Sequence, residues 1–114
     1  MSEKVNIDPK DAQDNKLMGI LSYFGPLVFV PILAAKESPF AKFHANQGLI
    51  LFIAWFALYI AIMIMGVILP QKLIDLLTIL VGLGTLAFSI IGILNAVNGV
   101  AKELPFIGQY KILK

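Results

Sequence analysis

Cysteine and arginine are both absent from this chain of 114 residues, and histidine occurs once. The lack of cysteine excludes disulfides, thiolate metal ligands and thiol catalysis, and a single histidine excludes a metal site built from several histidines of one chain. Charged residues are also scarce, at 14% against about 25% in soluble domains, whereas 59% of the residues are apolar. This composition excludes a typical soluble enzyme, and isolated lysines do not favour nucleic-acid binding.

The few charges fall into short groups that are separated by three long apolar intervals. Each interval reaches the roughly 20 residues that a helix needs to cross about 30 Å of hydrocarbon. The sequence therefore predicts an all-α integral membrane protein in which three transmembrane helices form an antiparallel bundle. The predicted spans are 17–35, 43–69 and 76–100. A polar flexible tail (1–16) precedes this transmembrane domain (17–101), and an interfacial amphiphilic tail (102–114) follows it.

Prolines mark a weak point in the first span and the start of the second. Pro26 lies inside span one, where a proline removes a backbone hydrogen bond and clashes with the preceding turn, so we expect a kink or a break. Ser38 is a good N-cap residue, and Pro39 suits the first helical position because its missing N–H would have no partner there. The second helix is therefore expected to begin at Pro39, before the hydrocarbon does.

Small and polar residues recur along one face of the third span. Steps of four, three, four and three place five of them in a single stripe: Thr85, Ser89, Gly92, Ala96 and Gly99. Small residues let helix backbones approach closely in lipid, so the stripe predicts a helix-packing surface. A permeation path along the stripe is the alternative.

Three spans would bring the loop after span one and the C-terminal tail to the same side of the membrane. Six polar residues would gather there as a candidate polar crevice: His44, Asn46, Gln47, Asn95, Asn98 and Lys102. One interpretation is a set of interhelical hydrogen bonds worth about 0.6 kcal/mol each, with a left-handed cap after the last span. The functional interpretation is an open crevice that holds a lipid headgroup, a partner peptide or a solute.

Two stretches of the chain resemble a known family. The first is Glu-Ser-Pro-Phe (37–40) followed by Phe-His-Ala-Asn-Gln-Gly-Leu (43–49), and the second is residues 90–99, which end in Asn-Ala-Val-Asn-Gly. They resemble small bacterial and archaeal membrane proteins of unknown function that are grouped with the Tic-twenty-type import component of the chloroplast inner envelope. The matching positions are Ser38, Pro39, Phe40, His44, Gln47, Asn98 and Gly99, with Pro105 and Tyr110 as a looser match. The resemblance implies a shared fold more than a shared activity.

No catalytic set, cofactor site or metal site is indicated, so we expect a non-enzymatic multi-pass membrane protein. It would act as an accessory or assembly subunit, or as an interaction subunit related to protein translocation. The alternative is a homo-oligomeric small channel or carrier. The expected partners are the lipid bilayer and another membrane protein or a second copy, and no nucleic acid. With three spans, four lysines lie on one side and five on the other, which favours a plasma-membrane protein with loop 36–42 and the C-terminus in the cytoplasm.

Overall fold

Two long antiparallel helices form the axis of the molecule. The computed structural model describes residues 4–113, and its long helices are α4 (Pro39–Met65) and α5 (Gln71–Val97), each of 27 residues. Both are apolar and long enough to cross a membrane, because at about 1.5 Å per residue each extends about 40 Å. The prediction of a helical protein with membrane-type helices is confirmed for these two.

Shorter elements surround one end of this pair. Before α4 the chain forms α1 (Pro9–Asp14), α2 (Lys16–Leu21), a 3-10 turn (Gly25–Val28) and α3 (Phe29–Ala34). A two-residue strand β1 (Lys4–Val5) pairs antiparallel with β2 (Ala101–Lys102), so that Val5 lies opposite Ala101. The N-terminal strand is therefore held just beyond the C-terminal end of α5.

A cap and an acidic side chain fix the start of α4. Ser38 Oγ accepts from the Ala41 N–H over 3.0 Å, and Pro39 opens the helix. Asp11 of α1 accepts from Ser38 Oγ over 2.6 Å and from the Phe40 N–H over 2.8 Å. A carboxylate is stabilised at a helix N-terminus because the unpaired N–H groups there carry partial positive charge. These bonds tie α1 to the beginning of α4.

The end of α5 is closed by a left-handed glycine. Gly99 has a φ of 69°, which a residue without a Cβ adopts at little cost. The Val100 N–H bonds to the Asn95 carbonyl over 2.8 Å and the Gly99 N–H to the Ala96 carbonyl over 3.1 Å. This is the Schellman pattern, which pairs carbonyls left open by the last turn and directs the chain sideways into β2.

The first predicted span is not a continuous helix. α2 ends at Leu21, and the chain resumes as a 3-10 turn in which Gly25 has a φ of 61° and Pro26 follows directly. A left-handed Gly25 interrupts the helical path, and Pro26 has no N–H with which to restore it. The residues predicted as span 17–35 thus break rather than kink. Three transmembrane helices are not confirmed, and two helices remain as candidate spans.

The broken segment, residues 16–35, turns back on itself, and we call it the re-entrant hairpin. On the way in, Gly19 lies against Phe40 near the start of α4, and the turn at Gly25 shares a cavity with Trp55 near the middle of α4. On the way out, Ala35 shares a second cavity with Lys42, one turn into α4. The hairpin therefore enters and leaves at the same end of the helix pair.

All polar segments that the structure describes, except the turn between α4 and α5, lie at one end of the molecule. We call this the capped end, after the Ser38 cap. Three spans would place the N-terminal tail on the same side as the connection between the two long helices, but β1 pairs with β2 at the opposite end of α5. Buried apolar side chains also concentrate at the capped end. One group contains Ala12, Phe40 and Ala96, and another contains Tyr23, Leu51 and Leu104.

Candidate functional site

His44 is fully buried near the start of α4 and uses both of its ring nitrogens. Nδ1 lies 2.6 Å from the Tyr23 hydroxyl, and Nε2 lies 2.9 Å from the Val100 carbonyl oxygen. A carbonyl oxygen only accepts, so Nε2 carries a proton, and in the neutral form of the ring Nδ1 accepts from the Tyr23 hydroxyl. A neutral imidazole thus joins the re-entrant hairpin, α4 and the residue that follows the α5 cap.

Gln47 and Asn46 bind the backbone of residues 103–113, which we call the C-terminal segment. Gln47 Nε2 donates to the Gly108 carbonyl and Gln47 Oε1 accepts from the Leu104 N–H, both over 2.9 Å. Asn46 Nδ2 donates to the Tyr110 carbonyl over 2.9 Å. Asn46 Oδ1 also accepts from the N–H groups of residues 112 and 113, over 2.7 and 2.9 Å. Two adjacent amides therefore replace the hydrogen bonds that a helix or sheet would supply.

These bonds have a physical reason in a membrane protein. Gln47 lies about 12 Å along α4 from Pro39, and Ile107 reaches further, to a groove that Leu51 and Phe88 also line. Backbone that is not helical is tolerated at membrane depth only where the protein itself satisfies its N–H and C=O groups. His44, Asn46 and Gln47 perform that task for segments that enter from the capped end.

Glycines allow the hairpin and the C-terminal segment to approach the long helices closely. A Cβ on Gly48 would collide with the backbone carbonyl of Ser22, and a Cβ on Gly92 would collide with the Tyr23 ring. On the other flank, a Cβ on Gly108 would come within 2.5 Å of Gln47 Oε1. Contact at this distance is available only to a residue without a side chain.

The six residues of the candidate polar crevice differ in burial. His44, Asn46 and Gln47 are buried and bonded to the chain's own backbone or side chains. Asn95 is half-buried and donates to the Lys102 carbonyl over 3.4 Å.

The remaining two residues of the predicted crevice, Asn98 and Lys102, are exposed. Asn98 is the C-cap of α5 and lines a shallow groove with Pro9 and Gln13, beside α1. Lys102 lies in β2. The polar side chains therefore surround the C-terminal segment and the end of α5, and they do not line one common opening.

The residues of the stripe on α5 fall into two groups, one packed against other segments and one lining a cavity. Gly92 lies under the Tyr23 ring, Ala96 is buried beside Gly19 and Phe40, and Gly99 faces Ala12. The lower members of the stripe, Thr85 and Ser89, line a half-open cavity of about 250 Å³ together with Pro26 and Trp55. The upper stripe thus receives α1 and α2, and the lower stripe borders the tip of the re-entrant hairpin.

Sequence reasoning missed three residues of this arrangement. Tyr23 lies within the predicted span 17–35, Asp11 within the predicted polar tail and Glu103 within the predicted interfacial tail, and no motif singles them out. Glu103 is buried and lies 3.9 Å from Lys111, which closes the C-terminal segment on itself. Their partners lie 8 to 29 positions away in the chain, so no local pattern marks them. Among the described residues, no three His, Asp or Glu side chains lie close enough together to hold a metal ion.

These features define a helical membrane protein with two candidate spans, whose buried polar side chains fix non-helical segments of the same chain. Within that class the chain belongs to the magnetosome magnetite crystal formation protein family, whose model matches residues 15–111. It is 33% identical over 98 residues to "Magnetosome protein MmsF" of Paramagnetospirillum magneticum, a match that covers 80% of this chain and 79% of the relative.

Two further relatives are named "Magnetosome protein MamF". The one from Magnetospirillum gryphiswaldense is 40% identical over 67 residues, which cover 53% of this chain and 60% of the relative. The one from Paramagnetospirillum magneticum is 31% identical over 101 residues, covering 85% of this chain and 82% of the relative. No solved structure matches the chain.

The resemblance to the Tic-twenty-type import component is wrong, because the family match and the relatives are magnetosome proteins. The motifs that suggested it have local structural roles here. Ser38 and Pro39 start α4, His44 and Gln47 bind neighbouring backbone, and Gly99 ends α5. Such motifs indicate where a membrane helix starts, where it ends and how it packs. They do not identify an activity. A role related to protein translocation has no support.

Proposed function

We propose that this chain is a non-enzymatic accessory or assembly protein that assists magnetite crystal formation in a magnetosome-type membrane. The family match over residues 15–111 carries the proposal, since the description of the family is that process. The buried polar groups support action through contacts rather than catalysis. His44, Asn46 and Gln47 would be the obvious groups to bind a substrate, and each is already bonded within the chain.

The distribution of lysines supports an orientation with the capped end in the cytoplasm. With a re-entrant hairpin, seven of the eight lysines among residues 4–113 belong to the capped end, and Lys72 alone belongs to the opposite turn. An excess of lysine near the ends of membrane spans marks the cytoplasmic side. This ratio of seven to one is far more decisive than the four to five that three spans would give for all nine lysines of the sequence.

This orientation leaves little of the described chain on the other side of the membrane. The connection between the long helices is only residues 66–70, followed by Lys72 and Asp75 in the first turns of α5. A crystal on that side would meet a short turn rather than a folded domain. We therefore propose that the chain acts on crystal formation through the membrane or through other membrane proteins.

Single cysteines test the orientation cleanly because the natural sequence contains none. Gln13, Glu37, Gln71 and Gln109 are all exposed and can each be replaced by cysteine. With a membrane-impermeant maleimide, we expect Q13C, E37C and Q109C to react from the cytoplasmic side and Q71C from the opposite side. Reaction of Q13C and Q71C from the same side would overturn the re-entrant topology and restore three spans.

Complementation tests the proposed role. A Paramagnetospirillum magneticum strain without MmsF receives this chain with an epitope tag, the native MmsF gene, or an empty vector. We expect the tagged chain in the magnetosome membrane fraction and magnetite crystal lengths shifted from the empty-vector distribution towards that with MmsF. Recovery of the chain only in the plasma membrane, with unchanged crystals, would contradict the proposal.

A homo-oligomeric channel or carrier is the second candidate, and one observation favours it. The hydroxyl-bearing residues Thr85 and Ser89 line the cavity beside Trp55 near the middle of α4 and α5. A path for solutes would require several copies, because two spanning helices cannot enclose a water-filled pore. Native mass spectrometry from membrane nanodiscs distinguishes the candidates, since a strictly monomeric chain removes the channel.

A further inference from the structure

The half of the molecule remote from the capped end consists of α4 and α5 alone. Between Phe52 and Ile91, Ile62 is the one buried residue, and aliphatic side chains such as Ile64 and Leu83 are 66% and 59% exposed. No charged residue lies between Lys42 and Lys72 on this stretch of α4. An exposed, uncharged surface on helices of membrane-spanning length is covered by lipid chains.

The half at the capped end is much wider. Nine of the ten buried residues of α4 lie between Phe40 and Leu51, where other segments cover the helix. The re-entrant hairpin lies against one flank, with Ser22 on Gly48, and the C-terminal segment lies against another, with Gly108 on Gln47. Four helical segments and a non-helical one therefore occupy the half at the capped end, whereas the remote half has two helices.

The change in width falls near the middle of the spanning helices. The hairpin turn at Gly25 and Pro26 lines a cavity with Trp55 and Thr85, which are close to the midpoints of α4 and α5. The C-terminal segment reaches a similar depth, where Ile107 lines a groove with Leu51 and Phe88. Both segments thus end near the bilayer midplane, so their volume is added to one leaflet only.

We propose that the chain is a one-leaflet wedge that prefers curved membranes whose convex leaflet contains the capped end. Extra cross-section in one leaflet spreads that leaflet relative to the other, and bending with the spread leaflet outside relieves the mismatch. Insertion into one side of a bilayer is sensitive to curvature for this reason. The inference rests on the proposed function for the membrane and its orientation. A closed compartment inside a cell is convex towards the cytoplasm, so the proposed orientation places the capped end in its convex leaflet.

Reconstitution of the full chain into lipid vesicles tests the wedge. Vesicles of about 30 nm and about 200 nm in diameter, made from one lipid mixture, are separated after insertion, and we expect at least about twofold more protein per lipid in the small ones. Orientation is read from Q13C and Q71C with an impermeant maleimide. We expect external labelling of Q13C to rise, and that of Q71C to fall, as vesicle diameter falls. Equal protein density and equal orientation in both sizes would overturn the proposal.

Two variants sharpen the comparison. Removal of residues 103–114 takes one segment from the half at the capped end, so the preference for small vesicles should fall. Lys72→Gln is the control, because it leaves the shape unchanged and should keep the preference. If the shortened chain does not fold, the size and orientation dependence of the full chain still decides. If the full chain complements crystal formation but shows no curvature preference, the wedge alone is refuted. If it shows the curvature preference but does not complement crystal formation, the proposed function alone is refuted.

Discussion

The side-chain amide of Gln47 donates to the carbonyl oxygen of Gly108 over 2.9 Å, and it does so across 61 positions of sequence. The same amide accepts from the Leu104 N–H, so it closes both ends of a turn that lies beside α4. An amide that bridges two backbone groups in this way substitutes for a missing strand or helix. This polar residue of a membrane helix therefore holds a non-helical segment whose backbone groups would otherwise lack hydrogen-bond partners within the membrane.

Replacement of Gln47 by leucine should release the C-terminal segment. The variant leaves the Leu104 N–H and the Gly108 carbonyl without partners, and each unpaired buried group costs about 1–3 kcal/mol. The segment will therefore detach to reach water rather than remain buried. Limited proteolysis of the purified protein in detergent should cut between residues 103 and 113 much faster in Q47L than in the natural chain.

Gln109→Leu is the matched control for that experiment. Gln109 belongs to the same segment and is exposed, so the same chemical change breaks no buried hydrogen bond. Proteolysis of Q109L should proceed at the natural rate. Equal protection of all three proteins would show that Gln47 does not hold the segment.

Removal of the Tyr23 hydroxyl should weaken the junction at His44. Tyr23→Phe leaves His44 Nδ1 as a buried acceptor without a donor, and the expected loss of unfolding free energy is about 1–3 kcal/mol. The change removes one oxygen and no apolar volume. Thermal unfolding in detergent, followed by circular dichroism, should show a lower midpoint for Y23F.

Tyr59→Phe provides the comparison, because Tyr59 is 41% exposed on the remote half of α4. Its hydroxyl removal should leave the midpoint nearly unchanged. If Y23F and Y59F unfolded at the same temperature as the natural chain, the bond between Tyr23 and His44 would contribute nothing measurable.

The long helices could be predicted from sequence because their signals are local. Charge-free length indicates α4 and α5, and a serine before a proline indicates the start at Ser38. The re-entrant hairpin could not be predicted, since a broken segment and a kinked span have the same hydropathy and differ only in packing. The hairpin packs against the long helices because Gly48 and Gly92 leave room for it. The residues that fill this room lie 26 and 69 positions away in the sequence. The sequence indicates the polar residues as a set. Most of their partners are backbone groups, which every residue has, so the sequence does not show which of them are bonded.

Loss of the Asp11 carboxylate should free α1 from α4. Asp11 accepts from Ser38 Oγ, the Phe40 N–H and Asn15 Nδ2, and its removal also leaves the positive end of the helix dipole uncompensated. We expect Asp11→Ala to lower the unfolding free energy by about 1–2 kcal/mol, in the range of lost helix caps. Hydrogen exchange should become faster at the amides of residues 10–15 and at Phe40.

Asp14→Ala is the matched variant in the same helix. Asp14 is exposed and forms a surface pair with Lys10 over 3.6 Å, and such pairs contribute about 0–1 kcal/mol. Exchange at Phe40 should be unchanged in D14A. Equal effects of D11A and D14A would mean that loss of negative charge, rather than the contact with α4, destabilises α1.

Gly48→Ala should displace the re-entrant hairpin, whereas Gly82→Ala should not. The new methyl group on residue 48 meets the Ser22 carbonyl, which belongs to the backbone and cannot rotate away. Overpacking of this kind costs about 1–3 kcal/mol or more. Gly82 has open space around its Cβ position, so alanine there should stabilise α5 by up to about 1 kcal/mol. Unfolding midpoints in detergent should therefore move in opposite directions, and a fall of the same size in both would indicate that Gly48 is needed for helix flexibility rather than for contact with Ser22.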